Sequence, residues 1–110
     1  MSLSTHVLDT AHGRPAAGVA VSLKKGNSVL FEGVTDADGR CPELRSVTIG
    51  GGLFSLTFAV ADYFRGRGLT LPDPPFLDRV TIDFGIADEG SHYHVPLLIS
   101  PFAFSTYRGS

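Results

Sequence analysis

A single cysteine, Cys41, stands among 110 residues, so no disulfide can close within the chain. That usage suits a reducing compartment. No apolar stretch approaches the ~20 residues needed to span a bilayer, which excludes a transmembrane helix. The formal charge is only −2, and no run of like charges forms an acidic or basic tail, so there is no electrostatic footprint for nucleic acid. The opening MSLSTHVLDT has neither the basic nor the apolar segment of a secretory signal, and the closing RGS is not a peroxisomal address. Repeats, linkers and low-complexity segments are missing, as are the GxSxG elbow, the P-loop and the dinucleotide glycine fingerprint. These absences predict one cytoplasmic globular domain over residues 1–110, with no membrane or nucleic-acid partner. A chain of this length buries roughly two-thirds of its unfolded surface.

Period-two apolar spacing is abundant, the mark of strands with one buried face. Phe54, Leu56, Phe58 and Val60 alternate with Ser55, Thr57 and Ala59, and Val80, Ile82, Phe84 and Ile86 alternate with Arg79, Thr81, Asp83 and Gly85. In HYHVPLLI, Tyr93, Val95, Leu97 and Ile99 point one way while His92 and His94 point the other. Weaker strands read at LSTHVLDT, GVAVSLKK, SVLFEGV and FAFSTY, separated by the turn-forming GRPAAG, KKGN, TDADGR, IGGG and LPDPP. One short helix fits ADYFRGRG. Roughly eight short strands with one helical segment predict an all-β fold, a two-sheet sandwich.

The candidate chemistry is sparse. Two histidines two apart on a strand share a face at roughly 6–7 Å, placed as an acid–base pair or as metal ligands. A zinc site needs a further ligand, and a solvated strand face explains His-x-His equally well. His6 sits in the first strand, where a structural role is the commoner one, and His12 reads as a surface residue beside Gly13. Arg40 closes the tight turn TDADGR. Its planar fork of donors suits a carbonyl-rich ligand if the fold carries it to the histidines. The Asp36–Gly39 run lacks the later bidentate glutamate of a calcium loop. Cys41 has no activating base beside it and reads as a small half-buried residue.

Taken together, LSTHVLDTAHGRPAAGVAVSL, TDADGR and the ending HYHVPLLISPFAFSTYRGS resemble the 5-hydroxyisourate hydrolases, the transthyretin-related enzymes of urate breakdown, from Leu3 to Ser110. The terminal YRGS is the most specific element. The resemblance implies a transthyretin-like sandwich of two four-stranded antiparallel sheets with one short helix. It also implies a homotetramer with active sites in the channel between dimers, and a reaction that needs no metal or organic cofactor. By the same resemblance His6, Arg40, His94 and Ser110 are the catalytic residues. Tyr107 and Arg108 join them around the substrate, 5-hydroxyisourate. The chain departs from the family at Ala103-Phe104, where many members have Gly-Tyr.

These side chains suggest a division of labour. One of His6 and His94 activates water and the other orients it or protonates the leaving nitrogen. Arg40 holds substrate carbonyls and Ser110 contributes a hydroxyl. The product implied is 2-oxo-4-hydroxy-4-carboxy-5-ureidoimidazoline. The alternative is a carrier of the transthyretin kind, binding small aromatic ligands in the same channel without turnover. A metal-binding sandwich built on His92 and His94 is more remote.

Overall fold

The computed structural model describes residues 2–109. Its eight strands are β1 (Ser2–Asp9), β2 (Arg14–Pro15), β3 (Ala20–Lys25), β4 (Ser28–Val34), β5 (Gly52–Ala59), β6 (Arg79–Ile86), β7 (His92–Ile99) and β8 (Phe104–Thr106). Helix α1 (Val60–Gly66) follows β5 directly, and a 3-10 turn covers Pro42–Ser46. The strands form two four-stranded sheets, ordered β2-β1-β7-β8 and β4-β3-β5-β6.

The period-two residues face one another across the gap between the sheets. Phe58, Leu56, Leu23, Val7, Leu97 and Ile99 are fully buried there. Each such side chain contributes about 1.5–3 kcal/mol of burial free energy. The α1 sequence buries Val60, Ala61, Tyr63 and Phe64, the i, i+3, i+4 stripe of a helix laid on a core. Among the described residues no helix is long and apolar enough to cross a membrane.

Three details differ from the sequence expectation. Not every pairing is antiparallel: β1 and β7 run parallel, in register Ser2↔His92 through Asp9↔Ile99. The two-residue β2 lies within what reads as a GRPAAG loop, because a pair this short carries no alternation. Val60 opens α1 instead of ending β5, since its neighbour Ala59 leaves extended geometry at φ −82, ψ 79.

Candidate functional site

The parallel register decides what the outer face of the β2-β1-β7-β8 sheet displays. Cα partners in neighbouring strands project side chains to the same face. Ser2 therefore stands beside His92, Ser4 beside His94 and His6 beside Pro96, while Leu3, Tyr93 and Val95 turn inward. Two strands 90 residues apart in sequence thus place three histidines and two serines on one surface.

Hydrogen bonds tie most of these groups together. The Ser4 Oγ lies 2.7 Å from His94 Nδ1 and 3.0 Å from His92 Nε2. The Ser2 Oγ lies 2.5 Å from His92 Nδ1. Among the described residues nothing holds the His6 ring in this way. His6 is half-buried, and its backbone bridges to Arg40 in an antiparallel pair.

Arg40 reaches this position through its turn. The Asp36 carboxylate accepts from the Asp38 and Arg40 amides at 2.9 and 3.0 Å, folding TDADGR back on itself. The Gly39 carbonyl accepts from the Val7 amide at 2.7 Å, which docks the turn on the free edge of β1. Gly39 is required there: φ is +77, and an added Cβ would collide with the Val7 carbonyl. Arg40 is exposed and, with Ser4, Thr5, Cys41, Pro42 and Arg45, lines a depression of about 180 Å³.

The surroundings hold His94 below its ordinary pKa of 6.5. Burial comes first, followed by the electrostatic influence of the neighbouring Arg40, His6 and His92. Its imidazole is therefore neutral at neutral pH, with a lone pair available on one nitrogen. Cys41 is pushed up to about 11, by burial first and then by Glu43 and Asp36, so its thiol stays protonated and inert.

The carboxyl-terminal segment wraps the same region. The Gly109 amide donates to the His94 carbonyl at 2.8 Å. A Cβ on Gly109 would stand 2.5 Å from His94 Cδ2, so only glycine lets the tail lie against the ring. Arg108 and Tyr107 take a different position. The Arg108 guanidinium lies 4.0 Å from the centre of the Tyr93 ring, on the face opposite His94, a cation–π contact. Both residues line an apolar cleft of about 230 Å³ with Ile82, Phe84, Tyr93 and Val95. Within one chain the fold gathers His6, Arg40 and His94, and does not bring Arg108 to them. Ser110, the fourth catalytic position expected, lies outside the described residues.

Sequence reasoning overlooked Ser2 and Ser4. Their alternation with His6 was visible, but only the parallel pairing shows that they meet His92 and His94. Among the described residues no three His, Cys, Asp or Glu side chains group as a metal site.

The family model described as the HIUase/Transthyretin family matches residues 3–109. A 5-hydroxyisourate hydrolase of Ralstonia nicotianae is 52% identical over 114 aligned positions, covering 98% of this chain and 97% of that protein. The solved 5-hydroxyisourate hydrolase of Klebsiella pneumoniae superposes with a TM-score of 0.87 at 39% identity, covering all of both chains. Sea bream transthyretin, solved in complex with thyroxine, superposes with a TM-score of 0.85 at 30% identity over 99% of this chain and 95% of its own.

Proposed function

The chain belongs to the HIUase/Transthyretin family, and from that premise we propose that it hydrolyses 5-hydroxyisourate at the His6–Arg40–His94 face. The relatives named 5-hydroxyisourate hydrolase match over almost their whole length, and they support a hydrolase acting in urate breakdown. The observation that carries the site is the convergence on one surface of two histidines from different strands and an arginine from a docked turn.

The reaction adds water across a cyclic amide. Neutral His94 takes a proton from water at Nε2 while the oxygen attacks the ring carbonyl carbon. Negative charge grows on the carbonyl oxygen, and the Arg40 guanidinium is placed to stabilise it. The carbon–nitrogen bond then breaks as the nitrogen receives a proton, a task assigned in this reading to His6, the other imidazole of this face. The ring opens to a carboxylate, giving 2-oxo-4-hydroxy-4-carboxy-5-ureidoimidazoline. Ser110, Tyr107 and Arg108 complete the substrate pocket in this reading, the last two from an adjoining subunit.

The assembly is a homotetramer with the site between dimers. Exposed Phe102, Phe104 and Tyr107, at 60%, 46% and 60% exposure, support further burial on association. The free buried thiol of Cys41 accords with a cytoplasmic setting.

A coupled assay tests the reading. Urate oxidase supplies 5-hydroxyisourate, and its decay is followed spectroscopically with and without the protein. The expected result is acceleration far above the spontaneous rate, lost in His94→Ala and Arg40→Ala. A folded tetramer without acceleration overturns it and brings forward the carrier function, for which the sea bream transthyretin likeness supplies the fold.

A further inference from the structure

The hydroxyls of Ser2 and Ser4 alternate with the rings of His92 and His94 in an unbroken line. Its links are 2.5 Å from Ser2 to His92 Nδ1, 3.0 Å from His92 Nε2 to Ser4, and 2.7 Å from Ser4 to His94 Nδ1. Ser4 is 8% exposed and contacts both rings through its one oxygen, so it has one proton to share between them. That constraint allows two continuous arrangements. In one, His94 Nδ1–H donates to Ser4, Ser4 to His92 Nε2, and His92 Nδ1–H to Ser2. This leaves a lone pair on His94 Nε2. In the other every donor reverses, and His94 carries its proton on Nε2.

We propose that Ser4 and His92 are positioning residues that set the tautomer of His94 and conduct its proton to solvent at Ser2. The inference rests on the hydrolytic function assigned to His94 above. When His94 Nε2 accepts a proton from water, its Nδ1 proton passes to the Ser4 oxygen. The Ser4 proton moves to His92 Nε2, the His92 Nδ1 proton to the Ser2 oxygen, and the Ser2 proton to bulk water. One proton enters and one leaves, neither ring holds a net charge afterwards, and His94 ends as an Nε2–H donor. The line thereby spares His94 from becoming an imidazolium beside Arg40, His6 and His92, the groups that already oppose its charging. When the His94 Nε2 proton is given up to solvent, a proton entering at Ser2 runs the line in reverse and restores the base.

Two experiments on the intact protein test this. In ¹⁵N-labelled protein, two-bond ¹H–¹⁵N correlations report each imidazole tautomer without reference to turnover. The line requires His92 and His94 to hold the same tautomer, and Ser4→Ala to release His94 into a mixture. Opposite tautomers, or a His94 signal unchanged in Ser4→Ala, overturn the proposal. In the decay assay, Ser4→Ala is expected to lower kcat on the order of tenfold with KM little changed, and Ser4→Thr, which keeps the hydroxyl, to restore it. A wild-type proton inventory in mixed H₂O and D₂O is expected to curve and to become linear in Ser4→Ala. Full kcat with an unchanged inventory in Ser4→Ala overturns the relay while leaving the hydrolase intact. Absence of turnover in the wild-type protein removes the hydrolase, and matched tautomers then still support the hydrogen-bonded line.

Discussion

The two ends of β1 carry two histidine clusters built on opposite principles. At its carboxyl end Asp9, 1% exposed, accepts from His12 Nδ1 at 2.6 Å, from the His12 amide at 3.0 Å and from the Tyr63 hydroxyl at 2.7 Å. Burial acts to raise the Asp9 pKa, but the hydrogen bonds from Tyr63 and His12 outweigh it and hold the carboxyl below its ordinary value. At the other end His94 has the Ser4 hydroxyl as its partner and Arg40 nearby instead, and is held neutral. A histidine locked to a buried carboxylate fastens the 10–14 segment to α1. A histidine set beside a serine hydroxyl and an arginine keeps a proton-accepting nitrogen. The same residue type is anchored in one place and left able to accept a proton in the other, and the partners decide which.

Crossing the two clusters by mutation should separate rate from stability. His94→Ala is expected to cost about 10²–10⁴ in kcat with little change in unfolding free energy. Asp9→Ala should do the reverse, losing about 1–3 kcal/mol of stability because it strands the buried Tyr63 hydroxyl and releases His12. Activity assays beside urea titrations check both, and a His94→Ala protein that unfolds as readily as Asp9→Ala breaks the distinction. Gly109→Val comes next. Its side chain pushes on the His94 ring, so a fall in kcat approaching 10²-fold is expected without loss of fold.

Stability against pH sharpens the comparison further. His94 has a folded pKa below 6.5, so the unfolded chain binds its proton first, and stability falls as pH drops from 6.5 through the folded value. Asp9 has a folded pKa below 3.8, so its contribution is whole above 3.8 and is lost as pH falls through the folded value. Urea midpoints measured from pH 8 to pH 2 should show two separate declines. His94→Gln should abolish the upper one and Asp9→Asn weaken the lower, to which Asp88, held below its ordinary value by the Ser91 hydroxyl and Gly90 amide, also contributes. The smallest effect is expected at Cys41, whose thiol is pushed up to about 11 and buried. Iodoacetamide at neutral pH should leave native protein unlabelled and fully active.

The strands and the sandwich were legible because Phe54–Val60, Val80–Ile86 and Tyr93–Ile99 alternate cleanly, and alternation reports a buried face directly. The direction in which β1 meets β7 was not, since alternation is the same read forward or backward. His12 shows the same limit. Its side chain is 30% exposed, as a turn residue should be, yet its ring is bound to a carboxylate that no local pattern reveals as buried. Arg40 could be flagged as a fork of donors, but only Gly39 docked on Val7 shows where the fork is delivered. Arg108, adjacent to Gly109 in sequence, lies with Tyr93 because the tail continues antiparallel beside β7, where Gly109 pairs with His94 and alternation turns its neighbour to the opposite face.

The pairing of β1 with β7 also fixes when the proposed active surface can exist. Ser4 and His94 are 90 residues apart, so during synthesis the first strand leaves the ribosome long before its partner is made. The sheet β4-β3-β5-β6 is complete by Ile86 and can close on pairings of shorter sequence range. The other sheet has to wait for a loop spanning most of the chain, the kind of contact that forms slowly. If the proposed site is the catalytic one, chains truncated before β7 are expected to be inactive, and activity to appear only when β7 has found β1.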